Sequence, residues 1–138
     1  MPDYACKVLE YLEIADGLRP DQLSGFFVGW PNPPSMEQHL ELLRRSHAVE
    51  IAVEDAAVVG FATAISDGVL SAFIPFLEVL PSHQHRGIGT ELVQRLLAQL
   101  DHLYMVDVCC DDNLDPFYQR FGFQTLDRGM GLRRRENI

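Results

Sequence analysis

No stretch of this 138-residue chain approaches the ~20 consecutive apolar residues that a bilayer-spanning helix requires. The opening Met1-Pro2-Asp3-Tyr4 lacks the basic start and apolar core of a secretory leader. Cysteine is scarce: Cys6, Cys109 and Cys110 are odd in number and have no zinc-type spacing. That argues against a disulfide scaffold or a metal ribbon and for a reduced, cytoplasmic protein. Basic residues are outnumbered, eleven Lys and Arg against twenty Asp and Glu, for a net charge of -9. Such a surface repels phosphate backbones and anionic membranes, so neither nucleic acid nor membrane is an expected partner. Low-complexity tracts and repeats of solenoid period are also missing. What remains is an ordinary globular composition, of a length for one domain over residues 1–138.

Strand and helix patterns alternate along the chain. Residues Tyr4 to Ile14 read as a first strand, broken by Asp16-Gly17. A helical turn over Pro20 to Ser24 precedes an aromatic loop, Gly25 to Pro34. Ser35 then starts a helix, with Gln38 completing a capping box and Met36, Leu40, Leu43 and His47 on its apolar side. Ala48–Val53 and Val58–Ile65 read as a hairpin, and Asp67-Gly68 turns the chain into a long strand, Val69–Val79. Pro75 cannot donate a ladder hydrogen bond, which predicts a bulge or opening within that strand. Ile88, Leu92, Val93, Leu96, Leu97 and Leu100 recur at helical spacing. A strand over Tyr104–Cys110, a short helix over Pro116–Arg120 ended by Gly122, and a closing strand pair (Phe123–Leu126, Met130–Arg133) complete the order. The pattern predicts a mixed α/β (α+β) domain, its sheet mostly antiparallel and flanked by helices.

The junction at Gln84-His85-Arg86-Gly87-Ile88-Gly89 carries the clearest chemistry. The first amides of a helix have no internal partners, and the helix dipole adds partial positive charge there. Gly87 and Gly89 present no Cβ to an approaching phosphate. A dinucleotide fingerprint would need glycine where Leu92 stands, and no Gly-Lys-Ser/Thr exists for a P-loop. By itself, the turn is a phosphate cradle or a ligand-free helix start.

The run from Leu77 to Leu92, with Val79, Pro81 and Gln84-His85-Arg86-Gly87-Ile88-Gly89, resembles the acetyl-CoA motif of the GNAT acyltransferase superfamily. Pro116-Phe117-Tyr118-Gln119-Arg120-Phe121-Gly122-Phe123 resembles a second segment of that family. The resemblance implies that Val79 offers backbone groups to the pantetheine arm of acetyl-CoA. It also implies that amides across Gln84, His85, Arg86, Gly87, Ile88, Gly89 and Thr90 hold the pyrophosphate, and that the strands either side of the long helix splay. The family often has Asn seven residues before the tyrosine; here that position is Asp111, with Asn113 as its nearby substitute.

Acetyl transfer to an amine needs a neutral nucleophile and a protonated leaving group. At an ordinary pKa of ~10.4, only about 1 in 2,500 alkylamine molecules is neutral at pH 7. Glu78, the acidic residue of the strand before the motif, is the first candidate base; alternation places it opposite Leu77 and Val79. His83, His85, Asp67 or a water relay are the alternatives. The resemblance implies that Tyr118 lies near the cofactor sulfur as general acid. On the acceptor side it points to the aromatic loop and the Asp67-Gly68 turn, with Phe27, Trp30 and Asp67 as substrate-binding residues. The acidic surface favours a small cationic amine. No metal is expected, because His83-x-His85 lacks a third ligand. Two readings follow: an N-acetyltransferase acting on a primary amine, small or borne by a protein, or a non-catalytic acyl-CoA- or partner-binding domain. The C-terminal strand edges would allow a homodimer without compelling one.

Overall fold

The computed structural model describes residues 8–134. The elements are β1 (Leu9–Leu12), α1 (Met36–Arg45), β2 (Ala48–Glu54), β3 (Ala57–Ser66), β4 (Ser71–Val79), α2 (Ile88–Gln99), β5 (Met105–Val108) and α3 (Asp115–Gln119). Single 3₁₀ turns occupy Pro20–Gln22, Pro81–His83 and Asp112–Leu114. One five-stranded sheet runs in the order β1-β2-β3-β4-β5. Its first three pairings are antiparallel and the β4–β5 pairing is parallel, with α2 as the crossover that parallel strands require. The mixed, mostly antiparallel α/β fold therefore stands as expected. The first strand is shorter than its sequence pattern, and residues Tyr4 to Lys7 of that pattern lie outside the described residues. No described helix is long and apolar enough to cross a membrane.

Helix α1 begins at the capping box read from the sequence. Ser35 Oγ accepts from the Gln38 amide at 3.1 Å, and Gln38 Oε1 accepts from the Ser35 amide at 2.9 Å. Its buried stripe is His39, Leu40 and Leu43, not the expected Met36 and His47. Met36 lies in the first turn and is exposed, and His47 lies beyond the helix, beside Gly68. The β2–β3 connection is a two-residue turn in which Asp55 (φ 53°) and Ala56 (φ 60°) are both left-handed, matching the twist of the flanking strands.

The two faces of the sheet bury different residue types. Large side chains cover one face: Leu23, Phe26, Leu43, Ile51 and Phe61, under α1 and the aromatic loop. The other face carries small residues in the strands, Ala48, Ala52, Ala62, Ala64 and Ala72, against Ile88, Leu92 and Leu96 of α2. Small strand residues let the helix sit close: a Cβ on Gly60 would stand 3.1 Å from Leu92 Cδ1 and 3.3 Å from Ile88 Cγ2.

The bulge predicted at Pro75 is present and decides which way the rest of β4 faces. Thr63 pairs with Phe76 and Ile65 with Phe73, so β4 carries one extra residue between those pairs. Ala72 and Ile74 pack on the α2 side before the bulge, and Leu77 and Val79 pack there after it. Phe76 faces the aromatic side instead. Without the extra residue, period-two alternation would put Phe76 and Glu78 under α2.

The expected closing strand pair is absent: residues 123–134 form no strand. Phe123 packs against the α2-side core, but Leu126, Met130 and Leu132 are exposed. With apolar residues this sparse, a hairpin there would have no face to bury.

Glu50 on β2 is a carboxyl group buried in the interior. It is 1% exposed; Oε1 accepts from Gln99 Nε2 at 2.8 Å, and Oε2 has no partner among the described residues. Burial raises its pKa. The folded chain thus holds this proton more tightly than the unfolded chain, and the stabilisation fades as pH rises through the raised value. Glu50→Gln keeps the acceptor for Gln99. It should raise the thermal midpoint at pH 8 and leave it near wild type at pH 4; equal midpoints of the two proteins at both pH values would refute the cost assigned to this charge.

Candidate active site

The β4–β5 ladder runs from Ser71↔Met105 to Ile74↔Val108 and stops. Strand β4 continues through Pro75–Val79, still paired to β3 on its other edge. Its β5-side edge over those residues is therefore free of ladder bonds among the described residues, and β4 and β5 are not hydrogen-bonded to each other beyond Ile74 and Val108. At the end of β4 the Val79 carbonyl accepts from Gln84 Nε2 at 3.2 Å.

From Val79 the chain turns through Pro81–His83 into α2. His85 (φ 65°) and Gly87 (φ 82°) are both left-handed, a conformation costing a non-glycine residue roughly 1–2 kcal/mol. Gly87 is the N-cap, and no side chain caps the helix. The first-turn amides are thus left for an external acceptor, which fits the phosphates of CoA. Two guanidinium groups flank them. Arg86 Nη2 reaches Glu54 Oε2 at 3.1 Å, and Arg120 Nη2 donates to Thr90 Oγ1 at 3.1 Å. Arg120 also lies over the rings of Phe117 and Phe121, at 5.1 and 5.6 Å.

The two segments quoted from the sequence meet at Gly89. A Cβ there would stand 3.8 Å from Val79 Cγ2 and 3.9 Å from Phe117 Cζ, so β4, α2 and α3 converge on a residue without a side chain. Beside Phe117, Tyr118 is buried, with its ring edge-on to Phe117 (5.0 Å) and Phe123 (5.6 Å). Burial, and then the Cys110 thiol just beyond β5, push its pKa up and keep the phenol protonated. Asn113 is exposed on the 3₁₀ turn that leads into α3.

Glu78 points to the other side of β4, as alternation required. Its Oε1 and Oε2 accept from the Phe27 amide at 2.9 and 3.0 Å, and Oε2 also accepts from the Val28 amide at 3.4 Å. Gly25 (φ 92°), Phe27 (φ 61°) and Gly29 (φ 84°) alternate in left-handed backbone, which gathers successive amides into a small anion-binding nest. The aromatic loop is therefore fastened to β4.

The chain matches the acetyltransferase (GNAT) family over residues 15–123. It belongs to the GNAT acetyltransferase family. A Deinococcus radiodurans R1 protein described as a candidate acetyltransferase superposes with a TM-score of 0.88 at 44% identity, covering 91% of this chain and 88% of that one. A GNAT-family acetyltransferase of Streptococcus pneumoniae TIGR4 gives a TM-score of 0.73 at 30% identity, over 94% and 99% of the two chains. Among curated proteins, a chloroplastic GCN5-related N-acetyltransferase of Arabidopsis thaliana is 37% identical over 79 residues, 56% of this chain and 33% of the relative. A Glycine max histone acetyltransferase is 28% identical over 116 residues, 75% of this chain and 50% of the relative. The chain thus spans a third to a half of the length of these curated relatives. An aminoglycoside N-acetyltransferase solved with CoA shares the fold, at a TM-score of 0.66 and 21% identity.

On this GNAT scaffold the sequence-derived acceptor residues divide. Phe27 and Trp30 stack edge-on at 5.1 Å within one aromatic group. Asp67 is not with them. It precedes β4, whereas Glu78 and the aromatic loop are at the far end of that strand, roughly 20 Å away at 3.3 Å per residue. Asp67 Oδ1 closes its own turn by accepting from the amides of Val69, Leu70 and Ser71, which lower its pKa. His83 and His85 form no metal group, and no cluster of three His, Cys, Asp or Glu side chains occurs among the described residues. Sequence reasoning missed Glu54 and assigned Arg120 no role. Arg120 was legible beside Tyr118; nothing in the sequence marks Glu54, whose partners are 29 and 32 residues away.

Under the aromatic loop lies a cavity of about 190 Å³ lined by Leu23, Phe26, Phe27, Pro34, Met36 and His39, among others. His39 is 1% exposed, packed at 4.4 Å from the Phe61 ring, and its Nε2 has no partner among the described residues. Burial lowers its pKa to about 4. A neutral His39 stabilises the fold above the ordinary histidine pKa, and that stabilisation is lost as pH falls toward 4. The expected loss is about 3 kcal/mol at most over that interval. Urea denaturation of His39→Phe should show a flatter stability profile between pH 6.5 and 4 than wild type; parallel profiles would refute it.

Proposed function

We propose that the protein is an acetyl-CoA-dependent N-acetyltransferase acting on a primary amine by direct transfer in a ternary complex. The observation that carries this reading is the convergence at Gly89: the free edge of β4, the uncapped start of α2 and the segment bearing Tyr118 meet there. The parted strands suit the pantetheine arm, with Val79 offering backbone groups. The amides from Gln84 to Thr90 suit the pyrophosphate, and Asn113 is near enough in sequence to Tyr118 to contact the same donor.

In this reading the amine nitrogen attacks the thioester carbonyl carbon, the carbon–sulfur bond breaks, and Tyr118 donates its phenolic proton to the departing thiolate. A phenol kept protonated by burial suits that role. Glu78 takes the proton from the amine, directly or through water. Phe27, held by Glu78, and Trp30 border the acceptor; Asp67, at the other end of β4, would touch only an extended one. The net charge of -9 favours a small cationic amine. A protein amine is the second reading, supported by the soybean relative's description as a histone acetyltransferase. Cys109 and Cys110 are free thiols, which suits the reducing cytoplasm.

Thermal shift with CoA, followed by a thiol-release assay over polyamines, aminoglycosides, arylalkylamines and peptide N-termini, tests the proposal. Amine-dependent thiol release is expected. CoA binding without it, across the whole panel, would favour a non-catalytic acyl-CoA-binding domain. Tyr118→Phe should lower kcat by about 100-fold or more while leaving the KM for acetyl-CoA near wild type. Unchanged turnover would remove Tyr118 from the proton transfer.

A further inference from the structure

One carboxylate outside the parted strands holds the loop that precedes α2. Glu54 ends β2, just before the left-handed pair Asp55 and Ala56, and its side chain is only 4% exposed. Its two oxygens are divided between two residues of the loop. Oε1 meets His83 Nε2 at 3.1 Å, and Oε2 accepts from Arg86 Nη2 at 3.1 Å. His83 is held from its other ring nitrogen by Ser82 Oγ at 2.7 Å.

These anchors stand on either side of Gln84 and His85. His85 is the non-glycine residue in left-handed backbone, and Gly87 follows with the same sign of φ. Left-handed backbone at a histidine persists only where its surroundings hold it. The chain here is fastened through side chains two residues before and one residue after that position. Side-chain contacts within the protein thus anchor the loop on both sides of its left-handed residue. Ligands bind more tightly when a site is set before they arrive, because ordering costs are already met.

We propose that Glu54 is a positioning residue for the donor's phosphates: from the β2–β3 turn it fixes His83 and Arg86, and through them the amides that lead into α2. This rests on the reading of that loop as the pyrophosphate site. In this proposal Glu54 acts through His83 and Arg86, not on the phosphate itself. Its charge alone would oppose an anion, so the proposal predicts that lost positioning outweighs the relief of that repulsion.

The experiment compares two ligands that share an arm and differ in phosphate. CoA carries the pyrophosphate; pantetheine has the same arm and no phosphate. Binding of each to wild type, Glu54→Ala and Glu54→Gln is measured by calorimetry for CoA and by NMR titration for pantetheine. Glu54→Ala should weaken CoA by about tenfold or more, the scale of one lost charged hydrogen bond, and leave pantetheine within about twofold. Glu54→Gln, which keeps one acceptor oxygen, should recover part of the CoA affinity. Equal weakening of both ligands would show general loosening of the fold and overturn the proposal. Unchanged or tighter CoA binding would overturn it as well, since repulsion would then have dominated. If Glu54→Ala does not fold, Glu54→Gln alone decides by the same ratio. Wild type that fails to bind CoA at all would remove the pyrophosphate reading and this inference with it; CoA bound equally by wild type and variants removes the inference alone.

Discussion

The molecule turns on one mismatch in length: β4 outlasts its parallel partner. Four residue pairs tie β4 to β5, and after Ile74↔Val108 the remaining half of β4 keeps only its antiparallel partner, β3. A parallel ladder that ran on would satisfy those backbone groups and close the sheet. Because it stops, the backbone edge of β4 beyond Ile74 has no strand partner on the β5 side among the described residues, although α2 joins the two strands. The bulge at Pro75 falls where the ladder stops, and it swaps the faces of everything downstream. Leu77 and Val79 then pack toward α2, while Glu78 turns to the aromatic loop. The same extra residue thus shapes both sides of the candidate site.

Charge is arranged locally against the overall balance. The chain has a net charge of -9, yet Arg86 and Arg120 flank the start of α2, where the helix dipole is also positive. An acidic protein can therefore offer an anion one favourable place. Glu54 tempers this by pairing with Arg86, and its own pKa is lowered, first by the His83 hydrogen bond and then by Arg86. The arrangement gives up some attraction for a defined loop. Glu78 plays a similar part on the other side, where the nest of amides around Phe27 closes on its carboxylate. In both places an acidic side chain anchors a segment that contains left-handed backbone.

The interior shows the same division between order and cost. Alanines beneath α2 let the helix press onto the sheet, and large rings fill the opposite face. Among the described residues three buried polar groups are left incompletely satisfied: Thr63 Oγ1 and two that titrate, Glu50 Oε2 on the helix side and His39 Nε2 among the rings. Their titrations pull in opposite directions. Glu50 destabilises the fold as pH rises and His39 as it falls.

By itself the sequence determined the features whose causes are local. Ser35 and Gln38 cap α1 because a capping box spans three residues, and Pro75 forces a bulge because it lacks an amide proton. Period-two and helical spacings likewise marked β2, β3, β4 and α2, and Gly87 marked an uncapped helix start. Where local pattern had no partner to act on, it failed: the closing strand pair has strand-like residues but no surface to bury them against. Only the tertiary structure decided that Asp67 lies a strand's length from Phe27, because both belong to turns and only the direction of β4 separates them. Likewise it alone brought Glu54 to His83 and Arg86, and Arg120 to Thr90, since those contacts join elements whose separation in sequence carries no periodic signal.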